Sequence, residues 1–170
     1  MTLLTTQRLI LELATKNDAS FLYELMNDAS YIENIGDRNI NSIHDAENFI
    51  TDKFLKSYSD NGYGYYIIKF KDSKIPIGIC GLVNREELKV IDIGFALLPE
   101  FIQKGFAFEA TNALYDYAKN TLKIEDIVAI ADAKNKKSIA LLGKLGLQFE
   151  KMVQLEDDPL ECMLFSKAKH

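Results

Sequence analysis

Apolar residues recur at helical and at strand-like spacings along the 170-residue chain, and each change of spacing marks a change of element. Residues 8–13 are apolar enough for a first strand, and the polar cluster 14–18 that follows carries helix-capping residues. Phe21, Leu22, Leu25 and Met26 then lie on one helical stripe. Residues 27–41 show no clear period, so a loop or broken helix is expected there. Ser42 to Asp45 reads as a cap with an acidic first turn, and Ile43, Ala46, Phe49, Ile50, Phe54 and Leu55 mark a second amphipathic helix ending within residues 57–64.

The middle of the chain changes to strand-like runs over residues 65–70, 75–83 and 88–98, joined by the short polar turns 71–74 and 84–87. Connections that short make an antiparallel meander. Pro99 and Glu100 close the third run, after which Ala107, Ala110, Thr111, Leu114, Tyr117 and Ala118 share one face of a helix over residues 105–120. A strand over 124–131, a short helix over 137–145 stopped by Gly146, and two strands over 147–155 and 160–166 complete the chain. With no repeat and no linker, residues 1–170 read as one α/β domain, a mixed sheet with helices on its faces.

Composition narrows the function classes. The chain is 48% hydrophobic and 26% charged, as globular proteins are. Twenty Lys and Arg against twenty-five Asp and Glu give a net charge of −5, which argues against nucleic-acid and membrane partners and weakly favours a cationic substrate. Cys80 and Cys162 lie far apart, outside any zinc or redox spacing, and read as buried small hydrophobes. Only His44 and His170 are present, too few for a histidine metal site or triad, so no metal is expected. No signal peptide and no long apolar run is seen, so a cytoplasmic protein is expected.

Residues 99–110 place a glycine-containing turn between a strong strand and a strong helix. Such a turn exposes the unpaired first-turn amides at the positive end of the helix dipole, where a pyrophosphate can be held by the backbone of residues 103–107. Gly105 allows close approach. One glycine is weak evidence, but it stands within five ordered blocks: Thr6-Gln-Arg-Leu-Ile-Leu, Pro76-Ile-Gly-Ile-Cys-Gly-Leu, Asp92-Ile-Gly-Phe-Ala-Leu-Leu-Pro-Glu, Lys104-Gly-Phe-Ala-Phe-Glu-Ala, and the run from Asn135 to Gly146. Together these resemble the GNAT superfamily of acyl-CoA-dependent N-acyltransferases, closest to the RimJ/RimL branch of ribosomal-protein N-terminal acetyltransferases.

The resemblance implies a single-domain GNAT fold with a mixed, mostly antiparallel sheet of six to seven strands, helices on both faces, and splayed central strands. It implies acetyl-CoA as cosubstrate, held by Gln103, Lys104, Gly105, Phe106 and Ala107, although Ile102 stands where the family carries a basic or amide residue. Amides of Leu97 and Leu98 would pair with the pantetheine arm, and one near Ala96 or Leu97 would face the thioester oxygen. Asn135 matches the position that contacts the pantetheine or sulfur region, with helix capping as its structural alternative. Ser138 matches the RimJ/RimL serine placed to protonate the leaving thiolate; the superfamily's usual tyrosine position holds Leu142 here, so the acid is Ser138 or a bound water, with helix capping as the serine's structural alternative.

Asp92, the one ionisable side chain well inside its strand, aligns with the carboxylate that serves as base in some members. Strand alternation sets it beside Gly94 and Ala96, a face with room for a substrate. The resemblance therefore points to acetyl transfer by direct attack of an amine in a ternary complex, the acceptor being a protein N-terminal α-amine. A polyamine or aminoglycoside acceptor and a non-catalytic acyl-CoA-binding module are the alternatives. A dinucleotide oxidoreductase is excluded for want of a G-x-G-x-x-G after the first strand. Oligomeric state stays open, a homodimer included.

Overall fold

The computed structural model describes residues 1–156 and 158–168. Asp157, between the expected strands 147–155 and 160–166, lies outside the described residues, as do Lys169 and His170. Eight strands form one sheet in the order β1-β2-β3-β4-β5-β6-β8-β7. They are β1 (Thr2–Thr5), β2 (Leu9–Leu13), β3 (Tyr65–Phe70), β4 (Pro76–Arg85), β5 (Val90–Leu97), β6 (Ile127–Ala131), β7 (Gln148–Gln154) and β8 (Glu161–Ser166). Among the described residues, only β5 and β6 pair in parallel. The sheet exceeds the expected six to seven strands because β1 adds an edge hairpin to β2, and its four residues, Thr-Leu-Leu-Thr, carry no alternation to announce it.

Both sheet faces are covered, as the near-continuous apolar runs of β3 and β4 require. On one face α5 (Phe106–Asn120) and α6 (Lys136–Lys144) bury Leu114, Ala118 and Leu142 against Tyr66, Ile68, Leu82, Ile93 and Leu97. On the other, α1 (Ala19–Asn27) and α3 (Ile43–Phe49) bury Leu22, Leu25 and Ala46 against Ile67, Ile79 and Leu98. The aperiodic stretch 27–41 contains the one short helix α2 (Ala29–Asn34), started by Asp28, whose carboxylate accepts from the Ser30 N–H at 3.0 Å. Helix α3 runs through a π-helical turn, Ile50–Leu55, into α4 (Lys56–Asn61), which Gly62 ends at φ +77°. The π turn seats Phe54 against Tyr65, ring centroids 5.5 Å apart.

The parallel pair β5–β6 is short. Their registered pairs are Ile91 with Ile127 and Asp92 with Val128. Beyond these, β6 pairs through Ala129, Ile130 and Ala131 with β8 on its other side. The two parallel strands therefore open from Asp92 toward the C-terminal end of β5, and the splay expected of the central strands is present.

Candidate active site

Two constructions meet at this splay. The first is the loop from β5 to α5. A 3-10 turn at Pro99–Phe101 is followed by Ile102 in extended conformation, and Gln103 and Gly105 both take left-handed backbone, φ +62° and +83°. Gly105 tolerates this without penalty, whereas Gln103 is a non-glycine residue in a conformation that surrounding structure must hold. The first intrahelical bond of α5 runs from Glu109 N–H to Gly105 O at 3.0 Å, so the amides of Phe106, Ala107 and Phe108 precede the helical ladder. No side chain of Gly105 caps them, and they point out at the positive end of a fifteen-residue helix. These unpaired amides lie in the loop expected to cradle a pyrophosphate.

The second construction is a polar cluster at the apex of the splay. Asp92 is 4% exposed, and its Oδ2 accepts from Arg85 Nε at 3.1 Å and lies 3.0 Å from Arg85 Nη2. Arg85 reaches it from the other side of the β4–β5 hairpin, in which Val83 faces Asp92 and Arg85 faces Val90. Among the described residues, Oδ1 of Asp92 has no hydrogen-bond partner. Burial raises the carboxyl above the ordinary aspartate range; the Arg85 charge, its hydrogen bond and the nearby Ile130 amide pull it only part of the way back.

Tyr65 joins this cluster because two glycines clear a path for it. Gly81 and Gly94 face each other across β4 and β5. A Cβ on Gly81 would lie 2.6 Å from Tyr65 Cδ1, and one on Gly94 would lie 2.7 Å from the Tyr65 hydroxyl oxygen. The ring thus lies flat across the sheet and delivers its hydroxyl beside Gly94, two residues from Asp92 on the same face. Burial pushes the phenol well above its usual range, and the Asp92 charge adds to the shift, so Tyr65 stays a neutral hydroxyl. Asp92, Gly94, Tyr65 and Arg85 form one polar floor within an otherwise apolar sheet.

The chain thus combines an opened parallel strand pair, a helix N-terminus with unpaired amides and a buried polar floor. The profile of the acetyltransferase (GNAT) domain family matches residues 8–148. The chain belongs to the GNAT acetyltransferase family. It is 29% identical over 149 residues to the uncharacterized N-acetyltransferase YoaA of Bacillus subtilis, spanning 87% of this chain and 84% of that one. Among solved structures it is similar to RimL, the ribosomal L7/L12 alpha-N-protein acetyltransferase in complex with coenzyme A, at TM-score 0.83, 17% identity, and coverage of 98% and 97%. It is similar also to the microcin C7 self immunity acetyltransferase MccE in complex with acetyl-CoA and AMP, at TM-score 0.80, 23% identity, and coverage of 96% and 93%. At these identities the two structures show the fold.

In this N-acetyltransferase the positions singled out in sequence fall at both ends of the splay. Gln103, Lys104, Gly105, Phe106 and Ala107 form the loop and first turn of α5, with Gln103 and Lys104 exposed. Along β5 one expectation is corrected: the Leu98 N–H already donates to Ile77 O at 2.9 Å and is not free for a ligand. Alternation in an antiparallel strand turns the Ala96 amide toward β4 as well, opposite Ile79, and leaves the Leu97 and Phe95 amides directed into the open side.

Asn135 is the N-cap of α6, its Oδ1 accepting from the Ser138 N–H at 3.2 Å. The capping alternative is therefore realised, and only its Nδ2 remains for a ligand. Ser138 is half-buried in the first turn of α6, and Leu142 is buried at 1% exposure, a core residue with no access to a substrate. Cys80 and Cys162 are buried in β4 and β8, as expected of small hydrophobes. No helix among the described residues is long and apolar enough to cross a membrane.

Neither Arg85 nor Arg8 is singled out by the sequence pattern. The first had a readable signal: a four-residue turn after Arg85 sets it two pairs from the Val83–Asp92 position in the hairpin register.

Proposed function

We propose that this N-acetyltransferase moves the acetyl group of acetyl-CoA to a single α-amine, such as a protein N-terminus, by direct attack in a ternary complex. The observation that carries the reading is Oδ1 of Asp92, buried at the apex of the splay with the Ile130 amide nearby but, among the described residues, no hydrogen bond of normal geometry, where the acceptor would meet the thioester. The residues fit acetyl-CoA: the amides of residues 106–108 suit its pyrophosphate, and the free β5 edge from Phe95 to Leu97 suits a pantetheine arm lying as an added strand. When bound, the coenzyme supplies the acyl group and a thiolate leaving group.

The chain's own groups do the rest. Oδ1 of Asp92 accepts the proton of the incoming amine, while Arg85 fixes Oδ2 and so aims the carboxylate. The Phe95 or Leu97 amide donates to the developing oxyanion, an interaction worth about 3 kcal/mol in other acyl transfers. Ser138 Oγ protonates the leaving thiolate and is itself reprotonated from solvent water, to which Asp92 returns the proton taken from the amine.

An α-amine, with a pKa of about 8, is neutral often enough near pH 7 for one carboxylate to serve it. A polyamine would bring further positive charge to a floor where Arg85 pairs with the one buried carboxylate and Arg38 adds a second positive charge near Tyr65. That arrangement favours a mono-amine acceptor.

Ser138→Ala is expected to slow the chemical step about tenfold, below the usual 10²–10⁴-fold for general acid–base groups, because a thiolate is already a fair leaving group. Acetyl-CoA affinity should be unchanged. Single-turnover thiol release together with calorimetric titration checks both, and unchanged turnover would remove the serine from the mechanism.

A further inference from the structure

We infer that Arg8, at the start of the chain, is the positioning residue that holds the coenzyme loop in its binding-competent shape; this rests on the acetyltransferase reading above. Glu109, in the first turns of α5, has a carboxylate that accepts three hydrogen bonds from the β1–β2 connection. Its Oε1 takes the Thr6 hydroxyl at 2.6 Å and the Arg8 backbone N–H at 2.8 Å, and its Oε2 takes Arg8 Nε at 2.6 Å. Burial alone would raise the Glu109 carboxyl, but these bonds and the Arg8 charge hold it below the usual range. The carboxylate therefore stays ionised beside a site built for phosphates, where alone it would repel the ligand. Arg8 cancels that charge.

The same guanidinium then reaches the loop itself. Its Nη1 donates to the Lys104 carbonyl at 3.3 Å, and its central carbon lies 4.4 Å from the centroid of the Phe106 ring. A Cβ on Gly105 would lie 3.3 Å from Nη2, so the guanidinium covers the glycine from one side. Lys104 sits between the two left-handed residues Gln103 and Gly105, and a non-glycine residue at φ +62° persists only when its surroundings fix it. Arg8 supplies that fixing contact through a planar fork that lysine cannot reproduce. It also brings positive charge to a loop whose leading position is Ile102, and its side chain remains 44% exposed, open to a bound phosphate.

The full-length Arg8→Ala and Arg8→Lys variants test this by two readouts. Hydrogen exchange without ligand should show faster exchange at residues 103–107 in both variants, with the β3–β5 amides unchanged. Calorimetry and steady-state kinetics should show acetyl-CoA Kd and KM raised about tenfold in Arg8→Ala, kcat at saturating coenzyme and the amine KM within twofold of wild type, and only partial recovery in Arg8→Lys. Wild-type exchange rates across the loop of Arg8→Ala would overturn the proposal, as would full rescue by lysine or a fall in kcat with no change in KM. A loosened loop in a protein whose wild type binds no acetyl-CoA would uphold the strut and refute the coenzyme.

Discussion

Asp92→Asn is expected to lower kcat/KM by 10²-fold or more, the range of a lost general base, while acetyl-CoA affinity stays at the wild-type value. Asparagine keeps the shape and can still accept a hydrogen bond, but it cannot take the amine's proton through Oδ1. The pH profile separates this from a general loss of structure. Because burial raises the Asp92 carboxyl above the ordinary aspartate range, the wild-type rate should climb with pH along an acid limb displaced upward from about 3.9. The amine's own ionisation gives a second rise nearer pH 8. In Asp92→Asn the lower limb should disappear and the upper one persist.

The substitution also leaves the Arg85 guanidinium without its anion. Breaking a buried pair costs about 3–5 kcal/mol, and the loss here should fall below that because 28% of the Arg85 side chain stays in water. Urea denaturation reads that loss. Arg85→Met in the Asp92→Asn background should recover part of the stability and none of the activity.

Gly105→Val is the second large effect. At φ +83° a β-branched side chain meets its own backbone, a strain of about 1–2 kcal/mol, and its Cβ is set 3.3 Å from Arg8 Nη2. The loop must either rotate away from this conformation or keep a side chain beside the amides of residues 106–108. Acetyl-CoA affinity should fall about a hundredfold, which is roughly 2.7 kcal/mol, and the strain should lower the unfolding midpoint by only about 2–8 °C. Calorimetric titration measures it. Binding at wild-type affinity would show that the coenzyme does not use this turn.

These two sites differ in how plainly the sequence announces them. The loop was legible because its signal is local: a strand, a turn with Gly105 and a helix follow one another within a few residues, and the αL conformation that glycine permits is the one found. Asp92 was legible for a related reason, as a charge inside an apolar strand. Its partner was not, because Arg85 lies across a hairpin and becomes a neighbour only through register. Tyr65 reads as one more aromatic strand residue until Gly81 and Gly94 are seen to face each other beneath it.

The bond between Arg8 and Glu109 spans 101 residues and leaves no periodic trace at either end. Leu98 shows the opposite failure, since a position inferred from resemblance falls just past the end of β5 and on the β4 side, and only the β4–β5 register tells which amides face the splay. The short edge strand β1 was missed because four residues with no alternation carry too little pattern to separate a strand from a tail.

The most direct test is amine-dependent thiol release from acetyl-CoA, measured with a peptide bearing a free N-terminus, the same peptide N-acetylated beforehand, and spermidine. The account predicts release with the free α-amine, none with the blocked peptide, and much slower release with spermidine. Release with spermidine and not with the α-amine would contradict the acceptor, and acetyl-CoA that neither binds nor turns over with any amine would contradict the assignment of the splay as an acyl-transfer site.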